Sequence, residues 1–184
     1  MDVVGGARVT VGVVYRVPGH GAVLGCDSRV LAGDGEIITD ADEKWLVAGS
    51  AIALVAGQSG GLWADLKEAT PAGWPALRKA VTDIDAELSH ARDYEVLVYD
   101  RRADVIWHTD HQGDAIRRGL FASIGCGGGL ALGALEASPA PRTLEHAEKI
   151  VRRAVKIACR RHSACGGRIR TIIVRGRRGE LELR

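Results

Sequence analysis

Residues 161–167 read Arg-His-Ser-Ala-Cys-Gly-Gly, and they separate two segments whose hydrophobic patterns differ. Before them, residues 143–162 carry apolar side chains at three- and four-residue steps, which predicts a long helix with Thr143 as its N-cap. After them, residues 169–174 read Ile-Arg-Thr-Ile-Ile-Val, which is typical of a buried strand. The stretch therefore marks the end of a long helix that is followed directly by a strand.

Outward from this stretch, the residue patterns divide the chain into runs of strands and runs of helices. β-Branched and alternating segments bounded by turn residues predict strands, at residues 9–17, 22–27, 44–47, 51–56, 94–99, 105–108, 121–124, 169–174 and 181–183. Apolar spacing of three and four residues predicts helices, around residues 62–69 and at 75–91, 130–137 and 143–162. A loop rich in glycine and aspartate is expected at 31–40.

The order of these elements predicts the fold class. Strands and helices come in runs, whereas a doubly wound parallel sheet requires them to alternate. The one-sided apolar spacing of the helices at 75–91 and 143–162 suits packing on a sheet. The expected fold is therefore α+β, a four-layer αββα sandwich of two antiparallel sheets flanked by helices, within a single domain that spans residues 1–184.

Composition and charge exclude several classes of protein. A hydrophobic content of 46% is that of a globular domain and excludes a disordered chain. The net charge of +2 produces no strong field, so neither nucleic acid nor a membrane is expected as a partner, although arginines gather between positions 152 and 178. Four cysteines are too few for a secreted disulfide framework, and the first residues do not resemble a signal peptide. A cytoplasmic protein with reduced thiols is expected.

Four stretches between about residues 8 and 175 share their order and spacing with a known family. Residues 161–167 look like the Arg-Asp-Ser-Ala-Ser-Gly-Gly segment of proteasome β-subunits, and residues 123–128 look like the Gly-Ser-Gly-Gly turn of the same proteins. The opening hairpin at 10–27 and Lys44 at the start of a strand complete the set. The chain thus resembles the N-terminal-nucleophile hydrolases, namely the proteasome β-subunits and the peptidase subunit of the bacterial ATP-dependent ring protease.

This resemblance implies a threonine-type peptidase site. In that family the hydroxyl of an N-terminal threonine is the nucleophile, and its own α-amine serves as the general base. A lysine lowers the pKa of these groups, and a carboxylate holds the lysine in place. Lys44 and Asp27 fall on the two supporting positions. Their spacing alone favours an ordinary surface ion pair.

Three further positions of the family pattern carry different residues here. The second carboxylate falls on His162, and the two supporting serines fall on Cys126 and Cys165. A histidine at a helix end also suits the helix dipole, and cysteines also serve as small buried fillers. The glycine of the oxyanion hole falls on Leu54, whose side chain is expected to narrow the cleft.

Two residues compete for the nucleophile position. Aligning residues 10–12 with the third to fifth residues of mature β-subunits puts Arg8 there, whereas one extra residue in the hairpin puts Thr10 there. Both alternatives have the same strand parity and would face the same cleft. Because nine residues precede Thr10, its nitrogen is an amide, and an amide cannot act as the base.

The histidines and cysteines also permit a metal-site interpretation. His108 and His111 flank Asp110, and His162 lies three residues before Cys165. No second pair of ligands at zinc spacing accompanies either group, so a structural zinc is disfavoured and no metal or cofactor is expected.

Three functions stay open on these residues. The first is a subunit of a self-compartmentalised ring particle that has weak or no peptidase activity because no threonine stands at the N-terminus. The second is an active threonine-type endopeptidase that appears once removal of residues 1–9 exposes Thr10, and the third is a non-enzymatic scaffold of the ring. The resemblance implies a homo-oligomeric ring, an ATP-dependent unfoldase or other ring subunits as partners, and unfolded polypeptide as the substrate of an active form.

Overall fold

The computed structural model describes residues 10–31, 37–39, 44–57, 94–109, 115–176 and 181–184. The helices predicted around 62–69 and at 75–91 lie outside these described residues, as does Arg8.

Two five-stranded sheets form the body of the protein, and all of their strand pairs are antiparallel. The first sheet has the strand order β10-β1-β2-β11-β12, and its strands are β1 (Gly12–Val17), β2 (Gly21–Cys26), β10 (Phe121–Ile124), β11 (Arg170–Arg175) and β12 (Leu181–Leu183). The second sheet is sequential, with β5 (Trp45–Ala48), β6 (Ala51–Gly57), β7 (Tyr94–Asp100), β8 (Val105–Thr109) and β9 (Ala115–Arg118). A short pair, β3 (Val30–Leu31) and β4 (Ile37–Thr39), stands apart.

Alternation along the strands explains why the two sheets stack. On β6, the side chains of Ile52, Leu54 and Ala56 point to one face, and those between them point to the other. The first set packs with residues of the opposite sheet such as Leu24 and Ile172, so an apolar core fills the space between the sheets.

Within the described residues, two helices cover the outer face of the first sheet. They are α1 (Gly128–Glu136) and α2 (Leu144–Arg161). The buried residues of α2 recur every three or four positions and pack on β1, β2 and β11, as amphipathic spacing predicts. Thr143 is the N-cap, and its side-chain oxygen accepts a hydrogen bond from the amide of His146 at 3.2 Å.

The prediction of two antiparallel sheets with helices in an α+β sandwich is confirmed. Two short features of the sheets differ from the sequence-based expectation. The segment expected as a loop at 31–40 contributes to the β3–β4 pair, and β9 was not predicted. Both are short strands that depend on a partner strand for their hydrogen bonds, so their own sequences carry a weak signal.

Candidate functional site

Five chain segments meet at one end of the sandwich. Gly12 pairs with Ile124 on one side and with Cys26 on the other, so the start of β1 lies between the ends of β10 and β2. Thr10 lies two residues before Gly12, and Asp27 directly follows the end of β2. Lys44 precedes β5, the turn that contains Cys126 follows β10, and residues 162–166 follow α2. Antiparallel pairing within the first sheet, the stacking of the second sheet on it and the packing of the second helix therefore gather these residues, although they are distant in the sequence.

Asp27 and Lys44 form a buried ion pair. The Nζ of Lys44 lies 2.9 Å from Oδ1 of Asp27, and the two residues are 5% and 0% exposed. The carboxylate also accepts hydrogen bonds from the backbone amides of Val11, at 3.0 Å, and Gly166, at 2.9 Å. A buried charge is costly unless it is paired and hydrogen-bonded, and Asp27 meets both conditions. This burial distinguishes the pair from a surface ion pair.

The ammonium group of Lys44 is directed at Thr10. It donates a hydrogen bond to Oγ1 of Thr10 at 2.5 Å and another to the backbone oxygen of Arg29 at 2.5 Å. With the bond to Asp27, its three N–H donors are all used. Thr10 itself is 3% exposed. The cation thus holds the threonine oxygen in one position.

A glycine-containing turn holds the backbone of Thr10. Gly125 adopts a φ of +83°, and a Cβ atom at this position would overlap the carbonyl oxygen of Thr10. That oxygen accepts a hydrogen bond from the amide of Gly127 at 3.3 Å. The amide nitrogen of Thr10 lies 3.5 Å from Sγ of Cys126. Any group formed at the nitrogen of Thr10 would therefore lie beside this thiol.

Cys126, His162 and Cys165 form a second group next to Thr10. The sulfur atoms of Cys126 and Cys165 are 3.5 Å apart, and the ligand atoms of all three side chains lie within 4.8 Å of one another. The hydrogen bond from Cys165 lowers the pKa of the Cys126 thiol to about 6; burial opposes this shift, and the bond to Thr10 and the charge of His162 support it. The pKa of Cys165 is raised, because its proton is shared with Cys126 and its site is buried.

The arrangement matches part of the chemistry of an N-terminal nucleophile. A hydroxyl that accepts a hydrogen bond from an ammonium group becomes easier to deprotonate, since the cation stabilises the developing alkoxide. A general base must still remove the proton of the hydroxyl. As long as residues 1–9 are attached, the nitrogen of Thr10 is an amide and cannot do so.

The structure places the other candidates elsewhere. Leu54 is 1% exposed and packs in the core between the sheets. His108 lies on β8, with Nε2 3.4 Å from Oε1 of Glu95 and Nδ1 2.6 Å from a guanidinium nitrogen of Arg118. Residues 110–111, with which His108 was considered as a metal site, lie outside the described part of the chain.

Sequence reasoning missed the backbone groups that complete the site. These are the amides of Val11 and Gly166, which bind Asp27, and the carbonyl of Arg29, which binds Lys44. Backbone groups carry no residue-specific signal, although Gly166 lies within the stretch that carried the resemblance. The guanidinium group of Arg29 occupies the space where a Cβ atom at position 166 would stand, so a larger residue there would require the Arg29 side chain to move.

Comparisons with known proteins establish the fold. No family model matches the chain, and no curated protein matches its sequence. Among solved structures, the chain is similar to the Gly-1 mutant of Anbu from Hyphomicrobium sp. strain MC1, with a TM-score of 0.79 and 16% sequence identity. The match covers 95% of this chain and 86% of the Anbu chain. At this identity the likeness shows an N-terminal-nucleophile-like fold and no more.

The expected family is corrected by this finding. The sequence motifs indicated the proteasome β-subunits or the bacterial ATP-dependent ring protease, whereas the solved structure named above is Anbu, a proteasome-related protein of a distinct family. The assignment to the former family is therefore wrong. A short motif such as residues 161–167 covers only a few positions, and one fold hosts several families, so the motif does not identify the family.

Proposed function

We propose that this chain is a subunit of a proteasome-like particle in which Thr10 is a latent N-terminal nucleophile. The observation that supports this most directly is the buried chain of contacts from Asp27 to Lys44 to Oγ1 of Thr10, with distances of 2.9 and 2.5 Å. In this proposal the protein is silent while residues 1–9 are attached and becomes a threonine-type endopeptidase when they are removed.

The proposed chemistry needs one change, at the nitrogen of Thr10. Cleavage of the bond between residues 9 and 10 converts this amide into an amine, which takes the hydroxyl proton directly or through a water molecule. Lys44 then stabilises the alkoxide oxygen during attack on a peptide carbonyl, and Asp27 keeps Lys44 charged and in position. Cys126 and Cys165 take the places of the two supporting serines, and His162 takes the place of the second carboxylate.

The proposal includes a closed ring of identical subunits. Helix α1 exposes Leu130 and Leu132, at 40% and 36%, which a neighbouring subunit would cover. An ATP-dependent unfoldase, an unfolded polypeptide substrate and a cytoplasmic location stay predictions. Within the described residues, no helix is long and apolar enough to span a lipid bilayer.

The single domain and the four layers are proposed with it. The outer face of the second sheet carries buried apolar side chains, among them Ala53, Val55 and Val96, and such a face requires a covering layer. The helices that the sequence predicts around 62–69 and at 75–91 are the candidates for this layer.

The test is a protein in which Thr10 is the first residue, produced by cleaving an N-terminal fusion. Its hydrolysis of fluorogenic peptides is expected to exceed that of the full-length chain by about 10²–10⁴-fold, because the freed amine supplies the missing general base. The matched control carries Thr10→Ala in the same background and is expected to stay at the level of the full-length chain. Light scattering on each sample reports whether the ring is present.

Two outcomes contradict the proposal. If the Thr10-first protein and its Thr10→Ala control are equally inactive while the ring is intact, the protein belongs to the scaffold class. Equal activity in both would place the nucleophile at a residue other than Thr10.

A further inference from the structure

We propose that Cys126, His162 and Cys165 form a binding site for a soft divalent cation such as Zn²⁺. Their ligand atoms lie within 4.8 Å of one another, and the group joins two thiols to one imidazole. Thiolates and imidazoles are the ligands that zinc prefers, and three protein ligands with an open fourth position is a common zinc arrangement. The three residues are also the supporting groups of the peptidase site proposed above, but the binding of a metal ion to them does not depend on peptidase activity.

The sulfur separation fits a shared metal ion. Two sulfur atoms bound at about 2.3 Å in a tetrahedral arrangement lie about 3.8 Å apart. The sulfur atoms of Cys126 and Cys165 are 3.5 Å apart, so a small outward movement of one side chain accommodates the ion. Both cysteines are unpaired thiols rather than a disulfide, and thiols can become thiolate ligands.

The backbone around the group already holds two of the three ligands. Cys165 is 1% exposed and packs against Gly127, so closely that a Cβ atom at position 127 would lie 2.8 Å from its sulfur. The amide of Cys165 donates a hydrogen bond to the carbonyl of His162 at 3.1 Å. The ligands at 162 and 165 are thus fixed by one turn after α2, and Cys126 is brought to them by the turn after β10.

One existing contact must give way. The amide of Ala164 donates a hydrogen bond to Nδ1 of His162 at 3.3 Å. Coordination through Nδ1 would replace this bond, and coordination through Nε2 would move the ring proton to Nδ1. The contact is long for a hydrogen bond of this type, so its loss costs little beside a metal–imidazole bond.

The ion can reach the site from solvent. Cys126 and His162 are both partly exposed, whereas Cys165 forms the buried end of the group. Among the described residues the group has three members, which leaves the fourth position to water or another ligand. A bound ion would lie beside Thr10, because Sγ of Cys126 is 3.5 Å from both the backbone nitrogen and the backbone carbonyl oxygen of that residue.

The experiment titrates the reduced, chelator-treated full-length protein with Co²⁺ alone and then with Zn²⁺ alone. Wild type is expected to take up about one ion per chain, to show a sulfur-to-cobalt charge-transfer band, and to lose that band when Zn²⁺ displaces the cobalt. Cys126→Ser and Cys165→Ser are each expected to weaken the band and to reduce the affinity for the ion by more than about 100-fold. Loss of a ligand should reduce affinity by more than loss of a residue that only hydrogen-bonds to a ligand.

The matched control is Cys159→Ser. Cys159 is a partly exposed cysteine of α2 near the same turn, but it is not a member of the group, so its replacement should leave the band and the affinity unchanged. Where a cysteine variant fails to fold by circular dichroism, His162→Ala replaces it, because that side chain is partly exposed. His162→Ala is expected to weaken binding while the charge-transfer band persists at higher cobalt concentration.

Three results of the metal titration would overturn the proposal. They are a reduced wild type that shows no charge-transfer band, a band that survives unchanged in Cys126→Ser, and equal loss of binding in Cys159→Ser. A disulfide between Cys126 and Cys165 in protein isolated without oxidant, seen as a mass decrease of two hydrogens, would assign the pair to redox chemistry and also overturn it.

Discussion

Two threonines of this protein lie beside a buried carboxylate and a cation, and their hydroxyl groups are used differently. Thr171, on β11, donates a hydrogen bond to Oε1 of Glu148 at 3.0 Å and accepts one from the guanidinium group of Arg152 at 2.9 Å. Thr10 accepts a hydrogen bond from Lys44, and among the described residues its hydroxyl donates none to a protein group.

The two clusters differ in whether the threonine proton has an acceptor. The hydroxyl of Thr171 donates its proton to the carboxylate of Glu148, which also binds Arg152 and Arg184. Each charged group of this cluster therefore has a partner, and the contacts connect α2 to the first sheet and to the C-terminal end. In the other cluster Asp27 binds the lysine and two backbone amides but not the threonine. The proton of Thr10 therefore has no acceptor among the described protein groups, although both clusters combine a threonine, a carboxylate and a cation.

The largest effect is expected when Lys44 is replaced in the Thr10-first protein. Lys44→Met keeps the length of the side chain and removes the ammonium group, so peptide hydrolysis should fall by about 10²–10³-fold, as when one donor to a reacting oxygen is removed. The rate on fluorogenic peptides is the measurement, and circular dichroism checks the fold.

Arg152→Met in the same background is the control from the other cluster. It removes a cation that donates to Thr171, and hydrolysis should be unchanged at temperatures where the protein is folded. A comparable loss of rate in both variants would show that the two threonines do not differ in function.

The next effect concerns the stability of the pair itself. Asp27→Asn leaves the ammonium group of Lys44 buried without its counter-charge and should lower the free energy of unfolding by about 3–5 kcal/mol. Urea unfolding of the full-length protein measures this loss. The double variant Asp27→Asn with Lys44→Met removes both charges and should recover part of this loss. If the double variant instead loses more free energy of unfolding than the two single variants together, the ion pair is not the cause.

A smaller effect is expected for Glu148→Gln, about 1–3 kcal/mol, because Arg152 and Arg184 are more than one third exposed and can be hydrated once the carboxylate is gone. Burial raises the pKa of Glu148, but hydrogen bonds from Arg152 and Thr171 and the charge of Arg184 outweigh it and lower the pKa from its usual 4.5. A lowered pKa in the folded state stabilises the protein above the pKa of the unfolded state, and this contribution is lost as the pH falls. The free energy of unfolding should therefore differ between wild type and Glu148→Gln by a constant amount near neutral pH, and this difference should shrink below about pH 4.5. A difference that grows on acidification would contradict this account.

The sequence by itself predicted most of the strands and both described helices. It also singled out the residues that meet in the candidate site, which are Thr10, Asp27, Lys44, Cys126, His162 and Cys165. Strand alternation and three- and four-residue spacing depend on neighbours along the chain, so β1, β2, β7 and α2 were predicted within a few residues of their observed ends. Asp27 and Lys44 were singled out because each lies at a strand boundary within a resemblance that held over many positions.

Only the tertiary structure decided how these residues meet. The pairing of β1 with β10 and β2, the packing of α2 on the first sheet and the stacking of the two sheets together bring Cys126 to Cys165 and Thr10 to Lys44. No local pattern encodes those distances. The zinc interpretation was disfavoured at the level of sequence because His162 and Cys165 supply only half of a ligand set, and the third ligand lies more than thirty residues earlier in the chain. Short-range periodicity reflects the geometry of one element, whereas a site depends on strand register and sheet packing, which are properties of the whole folded chain.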